Sequence, residues 1–411
     1  MVKLSKPTRQ IIFNRAFFSL GIILLIRVGT FLPVPGINNG DLAFYLQRHS
    51  MTKSLISTFA GNETFIIGLF TLNIFPYINA TILVQLLLRF SPKLSELQKE
   101  GDFAARRSIT RLTRSISLLV AVLQSAGISF YLKQILFDWS YFLAFEIIIW
   151  LTTGSMIVLW LSERITDDGL GNGASLLIYT NIISNLPNLL KKAAIANNEN
   201  FAFFSVMIVF LSLYGIVFLQ EGIRKIPLIS SKQLNQLAFP VNTYIPLRFN
   251  QAGVMPIILT TAVLVVPNYI LGLGIFSWLN FIPTFKLLNW ILFCFYWAAY
   301  FGLILGFSSF YSSVVLNPKD IADQLQKLAV TIPGRRPGLQ TTFHLKRVIQ
   351  RITLIGATML AILTIVPIFI ESTLNVTGLN GLSTTSLLIL AGVILDLSRE
   401  INNIYYSNIY N

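Results

Sequence analysis

Two consecutive arginines, Arg335 and Arg336, are the side chains in this sequence best suited to bind an acidic partner. They lie in the segment Ile-Pro-Gly-Arg-Arg-Pro-Gly at 332–338, whose prolines and glycines indicate a fixed turn. A guanidinium group presents a planar set of donors that matches phosphate or carboxylate oxygens. The pair therefore predicts a docking tip. Ordinary basic charge that maintains membrane topology would explain part of the same composition.

Residues for covalent chemistry are scarce. The single cysteine, Cys294, excludes an internal disulfide, and two histidines, His49 and His344, are too few for a Cys/His metal site. The sequence contains no G-x-x-x-x-G-K-[ST] phosphate loop and no Ser/His/Asp or Cys/His set that looks catalytic. We therefore expect no enzyme activity, no metal and no cofactor, so that energy from a nucleotide would come from a partner.

Two pairs of aliphatic residues are spaced by four positions: Ile74 with Ile78, and Ala174 with Ile178. Residues four apart lie on one face of a helix, and such pairs are usually part of a core. Pro76, between the first two, predicts a kink inside its helix. Asn172, between two glycines, predicts the N-cap of the helix that carries the second pair.

The segment 52–70 predicts a broken helix. A short, weakly apolar piece ends at Gly61 and Asn62, and a second apolar run follows. A break at membrane depth is tolerated where it lines a cavity or is buried in protein. The alternative is a re-entrant loop that only packs against its neighbours.

A further helix start is predicted at 317–320, where Asn-Pro-Lys-Asp supplies an N-cap, a proline at the first position and an acid in the first turn. Ile321, Leu325 and Leu328 would then form an apolar stripe. The helix is expected to end before residue 332.

These segments belong to a strongly apolar chain. Of 411 residues, 54% are hydrophobic and 12% are charged, against about 25% charged in an average soluble domain. Mean hydropathy is +0.68. This composition excludes a soluble globular enzyme and an intrinsically disordered chain.

Ten apolar stretches are long enough, or nearly so, to cross a membrane. They are 13–32, 64–88, 115–132, 141–161, 169–190, 201–220, 249–285, 287–317, 352–370 and 372–395. Continuous rather than alternating apolar runs indicate helices. We therefore predict an all-α polytopic membrane protein with ten transmembrane helices.

The basic residues predict the orientation. With the N-terminus inside, 24 of the 31 Lys and Arg residues lie in inside segments, so that both termini are expected inside. Within the spans the charged side chains are Arg15, Arg27 and Glu146, Asp396 directly follows the last span, and no proton relay is visible.

Ten spans divide into two halves of five. Because each half has an odd number of spans, the two halves cross the membrane in opposite orientation, as in an inverted repeat. The predicted N-terminal half is 1–190 and the outside linker is 191–200. The C-terminal half is 201–411, with inside loops at 221–249 and 318–350. A small-solute secondary transporter fits this count too, but the absence of mid-span acids and the structured basic loop favour a channel.

Five segments, in order, resemble the SecY family, the central subunits of the Sec protein-conducting channel. They are Asn73–Thr81, Trp160–Gly173, Asn250–Pro256, the loop from Asn317 to Gly356, and Thr385–Ile389. The resemblance implies a clamshell of two inverted five-helix halves around a pore. It also implies protein transport: unfolded, signal-bearing polypeptides cross the membrane and apolar segments leave sideways into lipid.

The resemblance also implies roles for individual residues. A ring of aliphatic side chains would seal the pore: Ile74, Ile78, Ala174, Ile178, Ile258 and Ile389. A plug near 52–61 would include Leu55, Ile56 and Phe59, and polar residues of the lateral gate would be Asn79, Gln85 and Gln124. Motor or ribosome docking would use Arg335, Arg336, Arg224 and Lys225.

Ala174 departs from the family pattern, in which isoleucine is common at this position. The ring would then be one large side chain short. We expect the plug or a neighbouring side chain to complete the seal.

The implied partners are a SecE-like subunit, the SecA ATPase motor, the ribosome, precursor polypeptides with signal sequences, and membrane lipids. A SecG-like subunit is left open. A bias toward Ile and Asn is typical of AT-rich coding and indicates a plastid-encoded protein of the thylakoid membrane, with both termini in the stroma. A bacterial plasma membrane is the alternative.

Overall fold

The computed structural model describes residues 6–35, 67–91, 103–133, 139–195, 199–230, 244–251, 253, 256–257, 259–260, 263, 285–374 and 384–410. These residues are mostly helical. The helices are α1 Lys6–Thr30, α2 Phe75–Phe90, α3 Phe103–Leu132, α4 Tyr141–Asp168, α5 Gly173–Ile195, α6 Glu199–Glu221, α7 Phe285–Val315, α8 Pro318–Lys327, α9 Leu339–Leu374 and α10 Thr384–Tyr410. Of the predicted linker 191–200, residues 191–195 belong to α5 and residues 199–200 begin α6.

Four short strands interrupt the helical chain, and sequence patterning did not indicate them. They are β1 Ile223–Pro227, β2 Ile229–Ser230, β3 Tyr244–Arg248 and β4 Val330–Thr331. β1 pairs antiparallel with β3, and β2 pairs antiparallel with β4. All four lie within or beside the two longest predicted inside loops.

Five of the described helices, namely α1, α3, α4, α7 and α9, contain stretches long and apolar enough to cross a membrane. Shorter apolar stretches occur in α5 and α6. Most of the predicted span 249–285 lies outside the described residues. The prediction of a helical, multi-spanning protein is therefore met by the helices that the structure describes.

The prediction that Pro76 kinks its helix is wrong. α2 begins at Phe75, so the proline lies in the first turn, and residues 69–74 form turns before it. The first backbone N–H groups of a helix have no partner within that helix, so a proline there loses no hydrogen bond. Pro76 therefore marks where α2 starts.

The described chain divides into two compact units. The first comprises residues 1–187 and 393–411. In it α3 packs against both α2 and α4, and α1 packs against α4. Arg114 of α3 forms two hydrogen bonds with Glu163 of α4, at 2.9 and 2.8 Å, which tie these helices together.

The second unit comprises residues 188–392. Its apolar core joins α6, α7, α9 and α10 around buried side chains, which include Ile216, Ile304, Leu360 and Leu388. A buried hydrogen bond of 2.6 Å between the hydroxyls of Ser312 and Thr353 links α7 to α9. The strands and α8 extend from this helical core.

Candidate docking face and pore-lining residues

The predicted docking residues Arg224 and Lys225 lie on β1, which pairs with β3 so that Arg224 faces Leu247 and Lys225 faces Pro246. Ile226 and Leu247 are buried, whereas Arg224 and Lys225 are both exposed and, as consecutive strand residues, point to opposite faces of the strand pair. The Lys225 Nζ lies 4.8 Å from the centre of the Tyr244 ring, a cation–π contact. The strand pair therefore presents positive charge on a rigid support.

The helix α8 begins as the sequence predicts. The Asn317 side-chain oxygen accepts a hydrogen bond from the Lys319 N–H at 3.2 Å, and its amide group donates to Asp320 at 2.8 Å. The predicted apolar stripe is only partly correct. Leu325 is buried, whereas Leu328 is 70% exposed because it follows the end of the helix as its C-cap, and Ala322 is buried instead.

The arginine tip is a tight turn. The Arg335 N–H donates to the Ile332 carbonyl at 3.1 Å, with Gly334 at a positive φ of 73°. Proline followed by a positive-φ glycine is the arrangement of a type II turn. The prediction of a fixed turn that carries Arg335 and Arg336 at its exposed tip is therefore confirmed.

The first turn of α9 holds the other side of the tip. Thr341, which is buried, donates its hydroxyl to the Arg336 carbonyl at 2.9 Å. The Gln340 side-chain oxygen accepts from the Arg336 N–H at 3.4 Å. The backbone of Arg336 is thus held on both sides while its side chain stays exposed.

One apolar cluster supports all these pieces. It joins β1, β3, α8, the tip and the first turns of α9 through Ile226, Leu247, Ala322, Leu325, Ile332, Leu345, Val348, Ile349 and Ile352. Burial, and then the nearby guanidinium groups of Arg335, Arg224 and Arg347, lower the pKa of His344 on α9, so the strand and the tip bring positive charge near the same histidine. Arg224, Lys225, Arg335 and Arg336 are exposed on elements that this cluster supports, and we call these four residues the docking face.

The predicted ring residues Ile74 and Ile78 lie at the start of α2, and both are buried. Asn73 before them adopts a positive φ of 47°, and its side-chain oxygen accepts the Ile74 N–H at 2.8 Å. The Ile78 N–H donates to the Ile74 carbonyl at 3.1 Å, so the two side chains lie one turn apart.

The second predicted pair lies at the start of α5. The Asn172 side-chain oxygen accepts the Ala174 N–H at 3.0 Å, which confirms the predicted N-cap. Gly171 has a positive φ of 86°, and a Cβ on Gly173 would lie 2.0 Å from the Ser162 carbonyl oxygen. The glycines therefore permit a close junction with α4 that leaves Ala174 and Ile178 half-buried.

The remaining predicted site residues are distributed as follows. Ile389 is half-buried on α10; Asn79 and Gln85 lie half-buried on α2, and Gln124 lies half-buried on the neighbouring α3. Ile258 and the plug residues Leu55, Ile56 and Phe59 lie outside the described residues.

Sequence reasoning missed the burial of Asn181 on α5 and the contact that Arg27 makes with the same helix. Asn181 is 7% exposed and lies three residues after Ile178, on the same helical face. Arg27 of α1 donates from Nη2 to the Thr180 carbonyl and, at 2.6 Å, to the Ser184 hydroxyl. The unusual depth of Arg27 in an apolar span was visible in the sequence, but its partner helix was not.

Comparison with known proteins identifies the fold and the family. The SecY family model matches residues 68–398. The chain belongs to the SecY family. The protein translocase subunit SecY of Trieres chinensis is 56% identical over 418 residues, which cover 97% of each chain.

Solved channels share the fold. One is a SecY whose plug domain stabilises the closed state of the translocation channel and maintains a membrane seal. It has a TM-score of 0.64 at 17% identity over 99% of this chain and 95% of that one. Sec61 in the canine ribosome–channel complex has a TM-score of 0.60 at 16% identity over the same shares. The SecY fold accounts for the helical, multi-spanning architecture.

Proposed function

We propose that this chain is the central, pore-forming subunit of a Sec protein translocase. It passes unfolded, signal-bearing polypeptides across a membrane and releases apolar segments sideways into lipid. The observation that carries the proposal is the SecY family match over residues 68–398 of a chain whose described helices are long and apolar. The relative in Trieres chinensis is named a protein translocase subunit SecY.

The proposed resting seal is a ring of aliphatic side chains at Ile74, Ile78, Ala174, Ile178, Ile258 and Ile389, with a plug formed near 52–61. A narrow apolar constriction loses its water and blocks ions, yet it yields to a passing chain. Helix starts at α2 and α5 support this role, because each places a pair of these residues one turn apart beside a tightly bonded cap. Asn79, Gln85 and Gln124 are proposed to tune the lateral gate.

The docking face is proposed to receive the SecA motor or the ribosome, both of which offer acidic groups that match exposed guanidinium groups. Four exposed basic side chains, carried by a strand and a turn that pack on the same apolar cluster, favour this role. A SecE-like subunit completes the complex, with a SecG-like subunit as a further component. The channel itself performs no chemistry, so a partner supplies the energy.

The two halves 1–190 and 201–411 are proposed as inverted repeats with both termini on the side that carries the docking face. Similarity to plastid-encoded algal relatives favours a plastid origin. We propose the thylakoid membrane as its location, with both termini in the stroma.

Site-specific photo-crosslinking tests the proposed function. A photoreactive residue at Ile78 and another at Ile178 are exposed to a stalled, signal-bearing nascent chain in the complex with the SecE-like partner. Both positions are expected to crosslink to the chain. A probe at Phe210, which is 72% exposed on α6, is the matched control and is expected to crosslink to lipid only. Absence of crosslinks at both ring positions in a folded complex would contradict the channel function.

A further inference from the structure

We infer that Arg27 is a positioning residue for the proposed pore ring: it holds α5, and with it Ala174 and Ile178, in the closed arrangement. The inference rests on the proposed function. Its basis is the pair of hydrogen bonds from the Arg27 Nη2 to the Thr180 carbonyl and the Ser184 hydroxyl, which join α1 to α5 across the first unit.

A cation in this position requires partners. Arg27 lies in the last turn of α1, within the predicted apolar stretch 13–32, where a charge that is removed from water is unfavourable unless it has polar partners. Within the described part of the chain, no carboxylate forms an ion pair with it. Two oxygens of α5 therefore accept hydrogen bonds from this guanidinium, which ties the position of α5 to that of α1.

The contact acts on a helix with few other polar ties. Around residues 171–175, α5 is bonded to its cap and to Thr166 at the end of α4. Beyond that turn, the described hydrogen bonds that reach α5 side chains or carbonyls from another helix are those of Arg27. Moreover, α5 is not among the closely packed pairs of described helices, which in this unit are α2–α3, α3–α4 and α1–α4.

The geometry shows why Arg27 acts through α5 rather than in the pore. At 3.6 residues per turn, the face of Thr180 and Ser184 is turned by about 120° from the face of Ala174 and Ile178. The Arg27 contact begins two residues after Ile178 along the chain. Arg27 therefore holds the helix from the side and sets the direction in which the ring residues point. This matters most at Ala174, whose short side chain leaves little tolerance for displacement.

Planar-bilayer recording of the purified complex with its SecE-like partner tests the inference. In Arg27→Met, the resting ion conductance is expected to rise about three- to tenfold, as expected for losing two interhelical hydrogen bonds. The conductance of Arg27→Lys, which keeps the charge but replaces the planar guanidinium by an ammonium group, should rise less, and so should the conductance of Ser184→Ala. Arg15→Met, on the same helix at an exposed position, is the matched control and should keep the wild-type conductance.

A second substitution separates positioning from general loss of structure. Adding Ala174→Ile to Arg27→Met is expected to restore a low resting conductance, because a larger ring side chain fills the gap left by a displaced helix. General destabilisation would not be corrected in this way. An Arg27→Met channel that opens with substrate but rests at wild-type conductance would overturn the inference.

If Arg27→Met fails to insert into the membrane, Arg27→Lys and Ser184→Ala test the inference instead. Wild-type conductance in both of these variants would also overturn the inference. A wild-type channel that never opens to a signal-bearing polypeptide would overturn the proposed function itself, and is distinguished by that control.

Discussion

The side chain at position 178 illustrates how much a single residue contributes to the proposed seal. Ile178 is half-buried one turn after Ala174, so it supplies most of the apolar bulk that α5 offers to the ring. An apolar constriction excludes ions because water and ions lose their hydration partners within it. A polar side chain at position 178 would therefore weaken the barrier to ions.

Replacing Ile178 by Asn should raise the resting ion conductance several-fold, because an amide group keeps water in the constriction. Ile183→Asn on the same helix is the matched control, since Ile183 is 40% exposed on a different face and should leave conductance unchanged. Bilayer recordings of both variants measure the difference. Equal conductance in Ile178→Asn and wild type would remove Ile178 from the ring.

Residue-level predictions were correct where the cause is local. Asn172 and Asn317 cap their helices as predicted, because a cap depends on the residue and the next three positions. The contact of Arg27 with Thr180 spans 153 positions, and only the folded chain brings these residues together. For the same reason, the burial of Asn181 was not predictable from its type.

At the scale of elements, α9 and the end of strand β3 are in close contact at Gly356, which has no side chain. A Cβ on Gly356 would lie 2.1 Å from the Phe249 carbonyl oxygen, which directly follows β3. The Phe249 N–H donates to the Gly222 carbonyl at 3.0 Å, so this backbone is also tied to the end of α6. The strand pair that carries part of the docking face therefore packs directly against the backbone of α9 at Gly356, where both partners are main chain.

The variant Gly356→Ala should lower the free energy of unfolding by about 1–3 kcal/mol, because the methyl group overpacks against backbone. Gly306→Ala on α7 is the matched control, since a Cβ there meets nothing within 4 Å and alanine favours a helix. Thermal unfolding of the detergent-solubilised complex compares the two. A Gly356→Ala protein as stable as Gly306→Ala would show that this contact relaxes without loss.

Long apolar elements were predictable from the sequence, and short ones were not. Continuous apolar runs indicated α1, α4 and α9 because lipid requires such runs. The strands β1 and β3 carry only two buried side chains, Ile226 and Leu247, and their pairing depends on a partner strand distant in sequence. The kink assigned to Pro76 failed for a related reason, since the start of α2 is set by the turns that precede it.

At the scale of the whole molecule, the net charge of +14 is unevenly distributed along the chain. Part of it is concentrated on the docking face, which belongs entirely to the unit of residues 188–392. Within that unit α9 runs unbroken for 36 residues, about 54 Å at 1.5 Å per residue. Its first turns support the docking face, and its later turns pack with Leu387 and Leu388 of α10, next to Ile389. The helix α9 therefore connects the docking face with the helix of a proposed ring residue.

This arrangement predicts that charge at the tip matters for transport rather than for folding. Arg336→Glu should abolish motor- or ribosome-dependent translocation, because it replaces an exposed donor group by one that repels an acidic partner. The tip itself should persist, since its bonds from Gln340 and Thr341 go to the Arg336 backbone. Lys327→Glu, an equal charge change on exposed α8, is the matched control and should transport nearly normally. Precursor import into vesicles that contain each variant measures the effect, with thermal unfolding as the check on folding. Full transport by Arg336→Glu, or equal loss in both variants, would show that the tip arginine is not a specific docking residue.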